Sequence, residues 1–106
     1  MIKNPRYQYE DNPPRLVARW HELSRSAAHQ VLAELSELVT PATGWRIRRD
    51  SVHDQPGKGK RTSVLLVLVP SIPPGGAIAW LSQDHLESKI TRIVQAGKLR
   101  FGLQDD

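Results

Sequence analysis

Apolar residues recur along the first third of the chain at spacings of three and four. They are Leu16, Trp20, Leu23, Ala27, Val31, Leu35 and Leu38, with Val17, Ala28, Leu32 and Val39 widening the stripe. A period near 3.6 is that of an amphipathic helix lying on a core. Arg19, Glu22, Arg25, Gln30, Glu34 and Glu37 fall largely on the other side. Asn12-Pro13-Pro14 reads as the helix start, because asparagine caps well and a first-turn proline gives up a donor that has no partner. Thr40-Pro41 ends it. The pattern predicts one long N-terminal helix, with Ser24-Arg25-Ser26 as the place for any break.

Past Gly44 the period becomes two. Trp45 and Ile47 alternate with Arg46 and Arg48, the signature of a half-buried strand with its arginines in solvent. Thr62 to Val69 is aliphatic on both faces and reads as a central strand. The stretch His53 to Lys60 between them is a hairpin loop. Pro70 to Gly76 is rich in proline and glycine and imposes irregular backbone, and Ala77 to Leu81 reads as a short strand.

A second helix opens at the N-cap Ser82, with Asp84 in its first turn and Leu81 and Leu86 placed as a hydrophobic staple. Leu86, Ile90, Ile93 and Val94 form its apolar face, and Gly97 marks its stop. Leu99, Phe101 and Leu103 then alternate with polar residues as a last strand would. Residues 1–12 read as a flexible N-terminal arm, or a short edge strand around Tyr7 and Tyr9, and 13–104 as a single domain.

The expected fold class is α+β: a small, mainly antiparallel sheet with a long N-terminal helix and a shorter C-terminal helix, in the order α-β-β-(β)-α-β. That order is similar to those of the double-stranded RNA-binding domain and the type II KH domain. The Gly-x-x-Gly loop of the latter is absent, and Ser82-Gln83-Asp84-His85 stands where the former has lysines. The similarity therefore carries no functional residue.

Composition narrows the function classes. The chain has 106 residues and no cysteine, so neither disulfides nor thiol chemistry contribute. Its longest aliphatic run, Val64 to Val69, is far short of a membrane span, and Met1 to Arg6 offers no signal-peptide core. A cytoplasmic protein with no membrane association and no small-molecule cofactor is expected.

The net charge of +4 is local. Between Trp45 and Thr62 six basic residues face two aspartates, an excess equal to that of the whole chain. Clustered charge raises the potential where an anion docks. Arg46, Arg48, Arg49, Lys58, Lys60 and Arg61 are thus the candidate nucleic-acid-binding residues, contacting RNA or DNA phosphates with little sequence preference. Trp45, Tyr7 and Tyr9 are candidates for stacking on unpaired bases.

Two other readings compete with this non-enzymatic one. The hairpin or the first helix could grip a protein partner or a second copy, as a small adaptor or inhibitor does. Alternatively, His53 could serve a ribonuclease-like site, although the sequence gives it no second acid–base group. Gly57-Lys58-Gly59-Lys60 is not a phosphate loop, since one residue rather than four separates its glycines and a strand follows. His21 and His29, eight residues apart, do not form a chelating pair, and no metal site is expected. Trp20, Trp45 and Trp80 read as core residues with their ring N–H groups near the surface.

Overall fold

In the computed structural model, which describes residues 4–11, 13–40, 43–57, 61–71 and 82–102, the chain begins with strands. β1 (Arg6–Asp11) and β2 (Pro14–Ser24) form an antiparallel hairpin, and α1 (Arg25–Leu38) follows. β3 (Trp45–Asp54) and β4 (Arg61–Pro70) form a second hairpin, and α2 (Gln83–Gly97) comes after it. The sheet order is β1-β2-β4-β3 with every neighbour antiparallel. The fold is α+β as expected, but the sheet comes first. With the helix-first order goes any topological similarity to the RNA-binding and KH domains.

The long N-terminal helix is corrected to a strand followed by a shorter helix, and a β-bulge explains why the period misleads. β2 pairs residue for residue with β4 as far as His21, skips one residue, and resumes at Leu23. The extra residue changes the phase of the strand. Leu16, Ala18, Trp20 and Leu23 therefore all point into the core, each no more than 1% exposed. Leu16, Trp20 and Leu23 are spaced by four and three, so a bulged strand has the spacing of a helix. Pro14 is tolerated because it is the first residue of its strand.

Helix formation starts at Ser24, which is also the last residue of β2. Its hydroxyl accepts the Ala27 N–H at 3.3 Å, so the N-cap lies where a break was foreseen. Thr62, fully buried, donates to the Leu23 carbonyl at 2.8 Å and satisfies an acceptor beside the bulge.

Both helices lie on one face of the sheet. Ala27, Ala28, Val31 and Leu35 from α1 and Leu86, Ile90 and Val94 from α2 meet the inward residues of β2 and β4. Trp45 joins them, with Ile47 and Val52 packed at the margin. Trp20 is in this core as expected, but its ring N–H is buried too and finds no acceptor among the described residues.

α2 starts as its sequence predicts: Ser82 caps it, accepting the His85 N–H at 3.2 Å, and Asp84 sits in the first turn. Its end differs. Gly97 closes α2, but the chain winds on through a π-helical turn, Lys98–Gly102, where a last strand was expected. Gly97 is needed for packing rather than for a left-handed stop. A methyl group there would lie 2.4 Å from Val31 Cγ2 of α1. The expected strand at Ala77 to Leu81, Leu81 of the staple, and Trp80 lie outside the described residues. Among the described residues no helix is long and apolar enough to cross a membrane.

Candidate functional site

Residues directly opposite each other in an antiparallel sheet share a face, so the register locates every charge. The face away from the helices, here called the open face, includes three rows across the strands. Gln8, Val17, Val67 and Arg49 form one, and Arg6, Arg19, Leu65 and Ser51 the next. His21, Ser63 and His53 form the third.

A second bulge, in β3, decides the charge distribution. Ile47 opposes Leu68 and Arg49 opposes Val67, so Arg48 is the extra residue and stands with Arg49 against a single valine. The sequence alternation placed Arg46 and Arg48 on the solvent side. Both are exposed, and the register adds Arg49, which shares the open face with Arg46 opposite Val69. After the bulge the phase is inverted. Ser51 and His53 take the open face, whereas Asp50 opposes Leu66 and Asp54 opposes Thr62, both on the helix side. Asp54 is engaged there by Arg25 of α1 at 2.7 Å. Without the extra residue, both aspartates would share a face with Arg46. The bulge sorts the charge of β3 by sign.

Of the remaining candidates, Arg61 opens β4 opposite Ser24, half-buried, with its carbonyl accepting the Gln55 N–H at 2.9 Å. Lys58 and Lys60 lie outside the described residues. Gly57 begins the turn with φ +73°, a conformation glycine adopts without strain.

Arg6 and Arg19 were not among the candidates, yet they belong to the same face. They oppose each other directly across β1 and β2. Arg19 was read as the polar side of a helix and Arg6 as part of an arm. The alternation Arg6-Tyr7-Gln8-Tyr9 is the signal that points to a strand. Glu10 neutralises Arg15 on this face through an ion pair. Arg6, Arg19, Arg46, Arg48 and Arg49 have no acidic partner among the described residues.

Two shallow hollows flank the opposed pair. One, of about 360 Å³, is lined by Arg6, Arg19, His21, Ser63 and the Val64–Leu65 segment. The other, of about 270 Å³, is lined by Arg6, Tyr7, Gln8, Val17 and Arg19.

Much of the apolar part of the face is already covered, while Leu65 is half-buried. Val17, Val67 and Val69 are each at most 9% exposed although no described helix packs over them. Among the described residues the aromatic rings are elsewhere. Trp45 is in the core, and Tyr7 and Tyr9 oppose Ala18 and Leu16 on the helix side. The expected stacking by Trp45 is therefore excluded by its burial. His53 gains the companion that the sequence did not supply, since His21 lies on the same face with Ser63 between them. Among the described residues, no group of three or more acidic residues and histidines is arranged to hold a metal ion.

No protein-family model, curated protein or solved structure matches the chain.

Proposed function

We propose that this protein is a non-enzymatic nucleic-acid-binding domain that grips the phosphate backbone with the open face of its sheet. The observation that carries the proposal is the β3 bulge, which gathers arginines on one face and sends both hairpin aspartates to the other. Arginine forks bind phosphate oxygens in bidentate geometry. Arginines with no acidic partner among the described residues stand at both edges of the four-stranded sheet and span about 14 Å at ~4.8 Å per strand, wide enough for more than one phosphate.

One feature favours a nucleic acid over an acidic protein. Protein interfaces derive most of their affinity from apolar or aromatic anchors buried on contact. Here the valines of the face are covered already, and association would gain little from them. The absence of described aromatic rings on the face also disfavours unpaired bases, which bind by stacking. Backbone recognition of a duplex, with little sequence preference, is what remains.

The test is fluorescence anisotropy with a short duplex of mixed sequence. Binding should be measurable at low salt and fall steeply as salt rises, by about 0.9 log units in affinity per log unit of salt for each phosphate neutralised. Absence of binding to DNA and RNA duplexes at low salt would end the proposal.

A second function is favoured by one observation, the His21–Ser63–His53 row. Two imidazoles on one face can divide acid–base work on an RNA phosphodiester. One takes the proton of the 2′-hydroxyl as its oxygen attacks phosphorus. The other gives a proton to the departing 5′-oxygen, leaving a 2′,3′-cyclic phosphate and a free 5′-hydroxyl. RNA cleavage should then be abolished by His21→Ala and by His53→Ala, while DNA is bound but not cut. RNA left intact by the unaltered protein disposes of this reading.

A further inference from the structure

We propose that Arg6 and Arg19 form a clamp for a single phosphate group. The inference deepens the backbone-binding function and rests on it for the source of that phosphate. Like charges directly opposite each other across a strand pair are destabilising, at Cβ separations of about 5 Å. Arg6 and Arg19 are such a pair, and no carboxylate among the described residues relieves them. By contrast Arg46 and Arg49 oppose Val69 and Val67, so neither faces a second cation. An arrangement that costs stability in the free protein is explained if an anion completes it.

The surroundings select the chemistry of that anion. The two hollows beside the pair share both arginines. One adds the imidazole of His21 and the hydroxyl of Ser63, and the other adds the amide of Gln8. Two guanidinium forks, a hydroxyl and an amide can all donate, and no described acid competes. A tetrahedral oxyanion has acceptor lone pairs in several directions and can use both forks at once. A carboxylate, planar with two oxygens, offers its lone pairs in one plane and matches two forks set at an angle less well.

Titration with inorganic phosphate, at constant ionic strength held with chloride, tests the clamp by thermal unfolding. The unaltered protein should melt at a higher temperature as phosphate is added. Arg6→Gln and Arg19→Gln should lose that response, and without phosphate each should be at least as stable as the parent. Arg49→Gln should keep the response.

A duplex titration then identifies the source. If the phosphate is an internal diester, Arg6→Gln or Arg19→Gln should weaken duplex binding roughly ten-fold, more than Arg49→Gln does. Saturable phosphate binding in a protein that binds no duplex would keep the clamp, assign it to free or terminal phosphate, and overturn only the backbone-binding function. No phosphate response in the parent, or one unchanged in Arg19→Gln, overturns the clamp itself, whatever the duplex result.

Discussion

The phenol of Tyr7 donates to the Glu87 carbonyl at 3.0 Å and, having one proton, accepts at 2.7 Å from the Thr91 hydroxyl. It thereby ties the edge strand β1 to α2. Burial, with a smaller contribution from the Glu87 charge, raises its pKa from 10.0 to about 12, against the opposing effect of the Thr91 hydrogen bond. The folded state holds the phenolic proton where the unfolded state loses it, so the protein should lose stability as pH rises from about 10 to about 12. Tyr7→Phe should remove that slope and cost about 1 kcal/mol at neutral pH. Denaturant midpoints measured across the alkaline range check both. None of this is readable in the sequence, because Tyr7 and Thr91 are 84 residues apart. The Ser82 cap and Asp84 were legible because their partners lie within one helical turn.

Elements were legible where the pattern was regular. α2 and the β3–β4 hairpin follow from caps, turn residues and periods that admit one interpretation. β2 did not, because its bulge gives Leu16, Trp20 and Leu23 the spacing of a helix while Ala18, buried among them, is too small to argue otherwise. The bulge in β3 had the same effect on the candidate site. The basic residues of the hairpin were visible, but the sorting of those in β3 onto one face depends on a register that only the pairing with β4 reveals. Close packing of elements is similarly hidden until they meet. The contact of Gly97 with Val31 sets the approach of α2 to α1. Valine is stiff at χ1 in a helix and cannot turn away from an added methyl. Gly97→Ala should therefore destabilise the protein by about 1–2 kcal/mol, despite alanine's better helix propensity. Thermal or chemical unfolding measures it directly.

For the whole molecule, the net charge of +4 understates the field of the open face. A count along the chain assigns the excess to the hairpin and leaves the rest neutral. Folding brings Arg6 and Arg19 to the same surface while Glu34 is taken up by Arg100 and Asp54 by Arg25 at its other side. On the proposed function, the salt dependence of duplex binding would report that surface as a whole. Replacing Arg46 and Arg49 by glutamine should reduce the slope of log affinity against log salt by about 2. Arg46 and Arg49 lie about 10 Å or more from Arg6 and Arg19, so losses from the two pairs should be nearly additive.

The strand order carries one more consequence. β1-β2-α1 and β3-β4-α2 are the same three-element unit used twice, and β1-β2-β4-β3 is the order that a two-fold axis between β2 and β4 generates. Since both helices share one face, that axis runs perpendicular to the sheet, and the symmetry is one of connectivity, with no repeat in the sequence. Each half brings its own arginines, Arg6 and Arg19 from one and Arg46 and Arg49 from the other, to opposite sides of the dyad. A double helix has backbone dyads of its own, and proteins with two-fold symmetry exploit them by aligning the axes. If the proposed function holds, the open face suits a partner with two antiparallel strands of phosphates, and a duplex should bind more tightly than either of its separated strands.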